Sequence, residues 1–221
     1  MPRTARASRA NFCYHVLNRG NAHAQVFHKP GDYGSFVELI EAAARRSPMR
    51  ILAYCLMPNH FHLVLWPSGD GDLGPWMQWL MTSQVRRHHR HYGSSGHVWQ
   101  GRFKAFPIEE DDHLRVVLRY VERNPLRAGL VERAEAWPWS SLAAPPAWLD
   151  PGPAPRGEGW VEGVNGVESE DEIRQVRGCI ERGSPFGSES WTARTANMLG
   201  LESAIRARGR PRSGPPAGSA E

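Results

Sequence analysis

The chain has 221 residues, of which 40% are hydrophobic and 23% charged, with a formal net charge of +4. That allows one domain of ordinary size plus an appendage and argues against wholesale disorder. No apolar run is long enough for a bilayer, Met1-Pro2-Arg3-Thr4 begins no secretory signal, and Cys13, Cys55 and Cys179 are odd in number without CxxC spacing. A membrane protein, a disulfide scaffold and a thiolate zinc site are therefore disfavoured, and a reduced cytoplasmic protein is expected.

In chain order, residues 11–18 read as a first strand, closed by a turn at Arg19-Gly20-Asn21. Residues 33–46 carry Phe36, Leu39, Ile40 and Ala43 at helical spacing, and Ser47-Pro48 ends that helix. Residues 50–57 and 60–66 form a hairpin about Pro58-Asn59. A second helix runs from Leu73 or Pro75 to about Tyr92, a fourth strand spans 99–108, and a third helix begins at Asp111 or Asp112 and stops near Asn124-Pro125. The order β-α-β-β-α-β-α predicts an α+β layer with its helices on one sheet face. The division expected is 1–142 as the main domain, 143–167 as a Pro/Gly-rich linker, 168–207 as a small helical appendage and 208–221 as a basic tail. Trp191 to Arg206 faintly suggests two small helices around Gly200.

Charge is unevenly distributed. From Leu73 to Ile108 there is no Asp or Glu, whereas Arg86, Arg87, Arg90, Arg102 and Lys104 lie there among Trp76, Trp79, Tyr92, Trp99 and Phe103. A positive segment interleaved with aromatic rings suits a polyanion whose bases can stack; it also fits a solvated helix face balanced by acids elsewhere.

The stretch Met57-Pro58-Asn59-His60-Phe61-His62-Leu63-Val64-Leu65-Trp66 organises the rest. Alternation along a strand puts His60 and His62 on one face and Phe61, Leu63 and Leu65 on the other. Two imidazoles side by side are half of a metal site, or simply two histidines on a half-exposed strand. On the third helix Tyr120 and Asn124 lie one turn apart on the shoulder of the apolar stripe. There a hydroxyl and an amide oxygen can reach the sheet; equally, Tyr120 can anchor the helix and Asn124 cap it.

Taken together, four blocks in order resemble the REP-associated tyrosine transposases, relatives of the single-tyrosine HUH transposases. They are Tyr14-His15-Val16-Leu17-Asn18-Arg19-Gly20-Asn21, the stretch from Ala53 to Leu63, Trp99-Gln100-Gly101-Arg102-Phe103-Lys104, and the run from Tyr120 to Val131; the resemblance covers about residues 11 to 142. It implies a ferredoxin-like antiparallel sheet and cleavage and rejoining of single-stranded DNA beside a hairpin, a REP-like palindrome. By the same resemblance His60, His62 and Asn124 hold a divalent ion, Mg or Mn, and Tyr120 attacks the scissile phosphate to form a 5′-phosphotyrosine, with no nucleotide cofactor. Arg19, Arg86, Arg87, Arg90, Arg102 and Lys104 are then expected along the DNA backbone, and Trp99 or Phe103 on unpaired bases. Arg208 and Arg210 in Arg-Gly-Arg-Pro-Arg resemble the minor-groove core of an AT-hook. A monomer using its own tyrosine is expected, with a homodimer as the other arrangement. A non-catalytic DNA-hairpin binder or repressor on the same fold is the alternative function.

Overall fold

The computed structural model describes residues 8–206 apart from Pro155. Strands β1 (Cys13–Arg19), β2 (Met49–Met57), β3 (His60–Pro67) and β4 (Lys104–Ile108) form one sheet in the order β2-β3-β1-β4, with every neighbouring pair antiparallel. Helix α1 (Pro30–Arg46) connects β1 to β2 and helix α2 (Leu73–Tyr92) connects β3 to β4. This β-α-β-β-α-β arrangement is ferredoxin-like. Pro58-Asn59 makes the two-residue hairpin link and pairs Met57 with His60. The fourth strand is shorter than expected because Trp99 makes only an isolated bridge, to Gly20.

Alternation sorts the side chains as the sequence predicts. Phe61, Leu63 and Leu65 join Phe36 and Ile40 of α1 and Trp76, Met77 and Leu80 of α2 in one core. Helix α2 ends at Gly93, whose φ of +58° is a left-handed cap that a side chain would strain.

The helices do not all share that face. Helix α3 (Asp112–Glu122) carries Leu114, Val117, Leu118 and Val121 onto the opposite face, against Cys55, Met57, Val64, Phe106 and Ile108. Cys, Met and Val there give the second face enough apolar area to need a cover, so the histidine-bearing face is roofed. The Asp111 carboxylate starts α3 by accepting from the His113 backbone N–H at 2.9 Å. Pro125 does not end the helical path. It is tolerated in the first turn of a short helix α4 (Asn124–Arg127).

The Pro/Gly-rich stretch 143–167 is laid on the domain. Trp148 and Leu149 pack against the first core, Asp150 bonds Arg50 at 2.8 Å, and Arg156 donates to the Leu52 carbonyl at 2.7 Å and to Glu122. Helix α5 (Trp160–Asn165) lies beside α3, and α6 (Glu170–Arg182), α7 (Glu189–Leu199) and α8 (Glu202–Ile205) follow. Phe186 extends the sheet edge by a parallel bridge to Ile108. Among the described residues no helix is long and apolar enough to cross a membrane. The tail holding Arg208 and Arg210 lies outside the described residues.

Candidate active site

Four expected site residues meet between β3, the end of α3 and the start of α4. His60 and His62 point to the roofed face with ring centroids 5.0 Å apart, nearly perpendicular. The Tyr120 ring lies over them from α3, its centroid 5.9 Å from that of His62, and only 7% of the residue is exposed. One turn on, the Asn124 amide nitrogen donates to the Tyr120 carbonyl at 3.2 Å, which leaves its Oδ1 for other partners, and its side chain is close enough to act on the His60 imidazole. Among the described residues the Tyr120 hydroxyl has no hydrogen-bond partner.

Electrostatics keep this cluster neutral. Burial, helped by the Arg19 charge, lowers the His60 pKa to about 4, while contact with Asn124 works in the other direction. Burial again, then the neighbouring His15 and His60 and the Arg127 and Arg19 charges, holds His62 well below its ordinary value. Both rings are thus free bases at neutral pH, the form that binds a cation. The His60 Nδ1 meets the Asn59 Oδ1 at 2.7 Å; since that oxygen accepts, His60 carries its proton there and its Nε2 is bare. Two neutral imidazole nitrogens and an amide oxygen suit a hard or borderline divalent ion and leave coordination positions for phosphate and water.

Sequence reasoning missed several neighbours. His15 on β1 bonds His62, its Nε2 lying 2.8 Å from the His62 Nδ1. Arg127 stacks over the Tyr120 ring at 4.3 Å and is held by Glu168, whose carboxylate also takes Arg123 at 3.0 Å. Its spacing, seven residues after Tyr120 on the same helical face, was the available signal. Glu122 is fully buried; it accepts from Arg156, from Ser141 Oγ at 2.9 Å and from Trp160 Nε1 at 2.7 Å. This anchors the tyrosine helix to the sheet and to the C-terminal segment.

The expected DNA contacts divide. Arg19 sits opposite His60, and Lys104 lies opposite Leu17, itself the partner of His62; with Arg102 they are exposed beside the site. Arg86, Arg87 and Arg90 are carried on α2, beyond the other sheet face, and Arg87 pairs with Glu38 at 3.2 Å. Trp99 and Phe103 are buried in the first core rather than offered for stacking. The bridge to Gly20 turns Trp99 inward among Phe27, Phe36 and Phe61, and its indole N–H is bound to Gln84 at 2.9 Å. A second group of potential metal donors, Glu109, Asp111 and His113, has its ligand atoms within 4.8 Å of one another. Its members are already engaged: His113 with Asp111 at 2.8 Å, and Glu109 with the Ser188 backbone N–H at 2.6 Å.

Comparison with known proteins places the chain in a family. The family described as "Transposase IS200 like" matches residues 8–124, and the chain belongs to it. Among curated relatives, a putative REP-associated tyrosine transposase of Haemophilus influenzae is 31% identical over 106 residues, which is 43% of this chain and 60% of that protein. The REP-associated tyrosine transposase of Escherichia coli is 28% identical over 131 residues, 58% of this chain and 74% of that one. A solved structure, a REP-associated tyrosine transposase bound to a REP hairpin, shares the fold with a TM-score of 0.53 at 23% identity, covering 65% of this chain and 84% of that chain.

Proposed function

We propose that this chain is a metal-dependent transposase-type endonuclease that cleaves and rejoins single-stranded DNA beside a hairpin through a tyrosine-linked intermediate. The observation that carries the reading is the convergence of His60 and His62 from β3 with Tyr120 from α3 and Asn124 from the start of α4. The Tyr120 oxygen forms a bond to the scissile phosphorus as the bond to the 3′ oxygen breaks. The phenol gives up its proton, the departing 3′ oxygen takes one, and a 5′-phosphotyrosine remains. Attack by a 3′-hydroxyl on that phosphotyrosine reverses the exchange, so no nucleotide cofactor is consumed. His60, His62 and the Asn124 oxygen are the residues that would hold a magnesium or manganese ion, which when bound polarises the phosphate and offsets charge building in the transition state. Arg127 keeps a cation against the Tyr120 ring. Arg19, Arg102 and Lys104 take the phosphates flanking the break, and Arg86, Arg87 and Arg90 meet DNA away from it. A REP-like hairpin is the proposed substrate, in keeping with what the similar proteins are named for.

The test is cleavage of a labelled hairpin-bearing single strand. With manganese or magnesium the strand is cut; with chelator, or in Tyr120→Phe or His62→Ala, product falls at least about a hundredfold. Tight hairpin binding without cutting under any metal would instead make the chain a hairpin-binding protein.

A further inference from the structure

His15 lies in the middle of β1 with none of its surface exposed. Its imidazole faces the site, stacked on His62 with an interplanar angle of 24° and a centroid separation of 5.0 Å. Phe106, edge-on at 5.0 Å, and Tyr120, at 6.1 Å, close two further sides. The ring makes one hydrogen bond, from its Nε2 to the His62 Nδ1 at 2.8 Å, and its own Nδ1 has no partner among the described residues. A polar atom buried without a partner is unfavourable, and an aliphatic side chain would fill the space without that defect. Packing alone therefore does not account for a histidine here.

We propose that His15 is a positioning residue that fixes His62 in the tautomer able to bind a divalent cation; this rests on the reading that His60 and His62 hold the ion. A neutral imidazole binds a cation through a bare nitrogen and carries its proton on the other. For His62 to offer Nε2, its proton must sit on Nδ1, and the partner of Nδ1 is the His15 Nε2. Then His62 donates, His15 accepts, and the His15 proton occupies the Nδ1 that has no acceptor. In the reverse arrangement His15 donates from Nε2 to the His62 Nδ1, the His62 proton moves to Nε2, and the ligand position is closed. The observed contact accommodates both arrangements. A cation at the His62 Nε2 selects the first arrangement, in which the His15 Nε2 supplies the acceptor that the Nδ1 proton needs.

The test is manganese binding to the full chain carrying Tyr120→Phe, which prevents cleavage, with a hairpin oligonucleotide bound. Free manganese is read by electron paramagnetic resonance, and folding is verified by thermal melting. His15→Leu is expected to weaken binding by about 10- to 100-fold. His15→Gln, whose Oε1 can accept in place of Nε2, retains most of the affinity. Nitrogen-15 spectra of the His62 ring with magnesium should show the proton on Nδ1 in the parent and in the His15→Gln variant, and on Nε2 in the His15→Leu variant. If His15→Leu binds manganese like its parent while His62→Ala does not, the positioning role is overturned and the metal reading stands. Equal losses in the Leu and Gln variants would also overturn it, since packing would then explain both. Undiminished binding in His62→Ala would remove the metal reading and the proposal with it.

Discussion

Single side chains at this site are defined by what each is bonded to. Glu122 is the clearest case, because a fully buried carboxylate must be compensated. Arg156, Ser141 and Trp160 supply that compensation from three points along the chain, locking the helix that presents Tyr120. Glu122→Ala leaves the Arg156 guanidinium, itself largely buried, without its carboxylate, and the expected loss is about 3–5 kcal/mol. Urea unfolding measures it; a loss below about 1 kcal/mol would equate the pair with an exposed one and contradict the anchoring role. The roles of Glu122 and His15 were not legible in sequence. The first depends on partners 19 to 38 residues away and the second on a register between β1 and β3 that spacing does not reveal. His60 and His62, by contrast, were readable because a strand's two-residue period is local.

At the scale of elements, the hairpin, the two crossover helices and the tyrosine helix were legible from periodicity and caps. Their packing was less so. Strong apolar residues at Phe61, Leu63 and Leu65 identified one core face, whereas Cys55, Met57 and Val64 gave the other a weaker signal, and α3 covers it. Trp99 shows the same limit. Its neighbourhood of basic residues suggested a stacking platform, but a bridge to Gly20 decides that it completes the core. The C-terminal segment carried almost no readable motif, yet Arg156 and Trp160 meet Glu122, Glu168 meets Arg123 and Arg127, and Glu172 meets Arg119 at 2.5 Å. Each contact falls on the tyrosine helix or the turn after it, so this segment is part of the scaffold that aims Tyr120.

Across the whole molecule, a neutral buried histidine cluster makes stability depend on pH. Burial lowers the His15 pKa to about 3 and that of His60 to about 4, against an ordinary value of 6.5 when unfolded. As pH falls through 6.5 the unfolded chain takes protons that the folded chain refuses. Their stabilising contribution is therefore complete above pH 6.5 and declines on acidification, down to the folded values. From about pH 7 to about pH 5, in chelator, each such histidine should remove about 2 kcal/mol of unfolding free energy. Urea midpoints at the two pH values read this directly, and equal midpoints would mean the cluster is open to solvent or charged.

Tyr120 is the proposed nucleophile, and locating the covalent bond tests that role most directly. The purified chain is incubated with a hairpin-bearing single strand and manganese, denatured, digested with nuclease and trypsin, and examined by mass spectrometry. A nucleotide mass on the peptide Tyr120-Val121-Glu122-Arg123, absent from Tyr120→Phe, is the predicted result. The same mass on a peptide containing Tyr14, Tyr33, Tyr54 or Tyr92, or strand cleavage with no adduct at all, would contradict it.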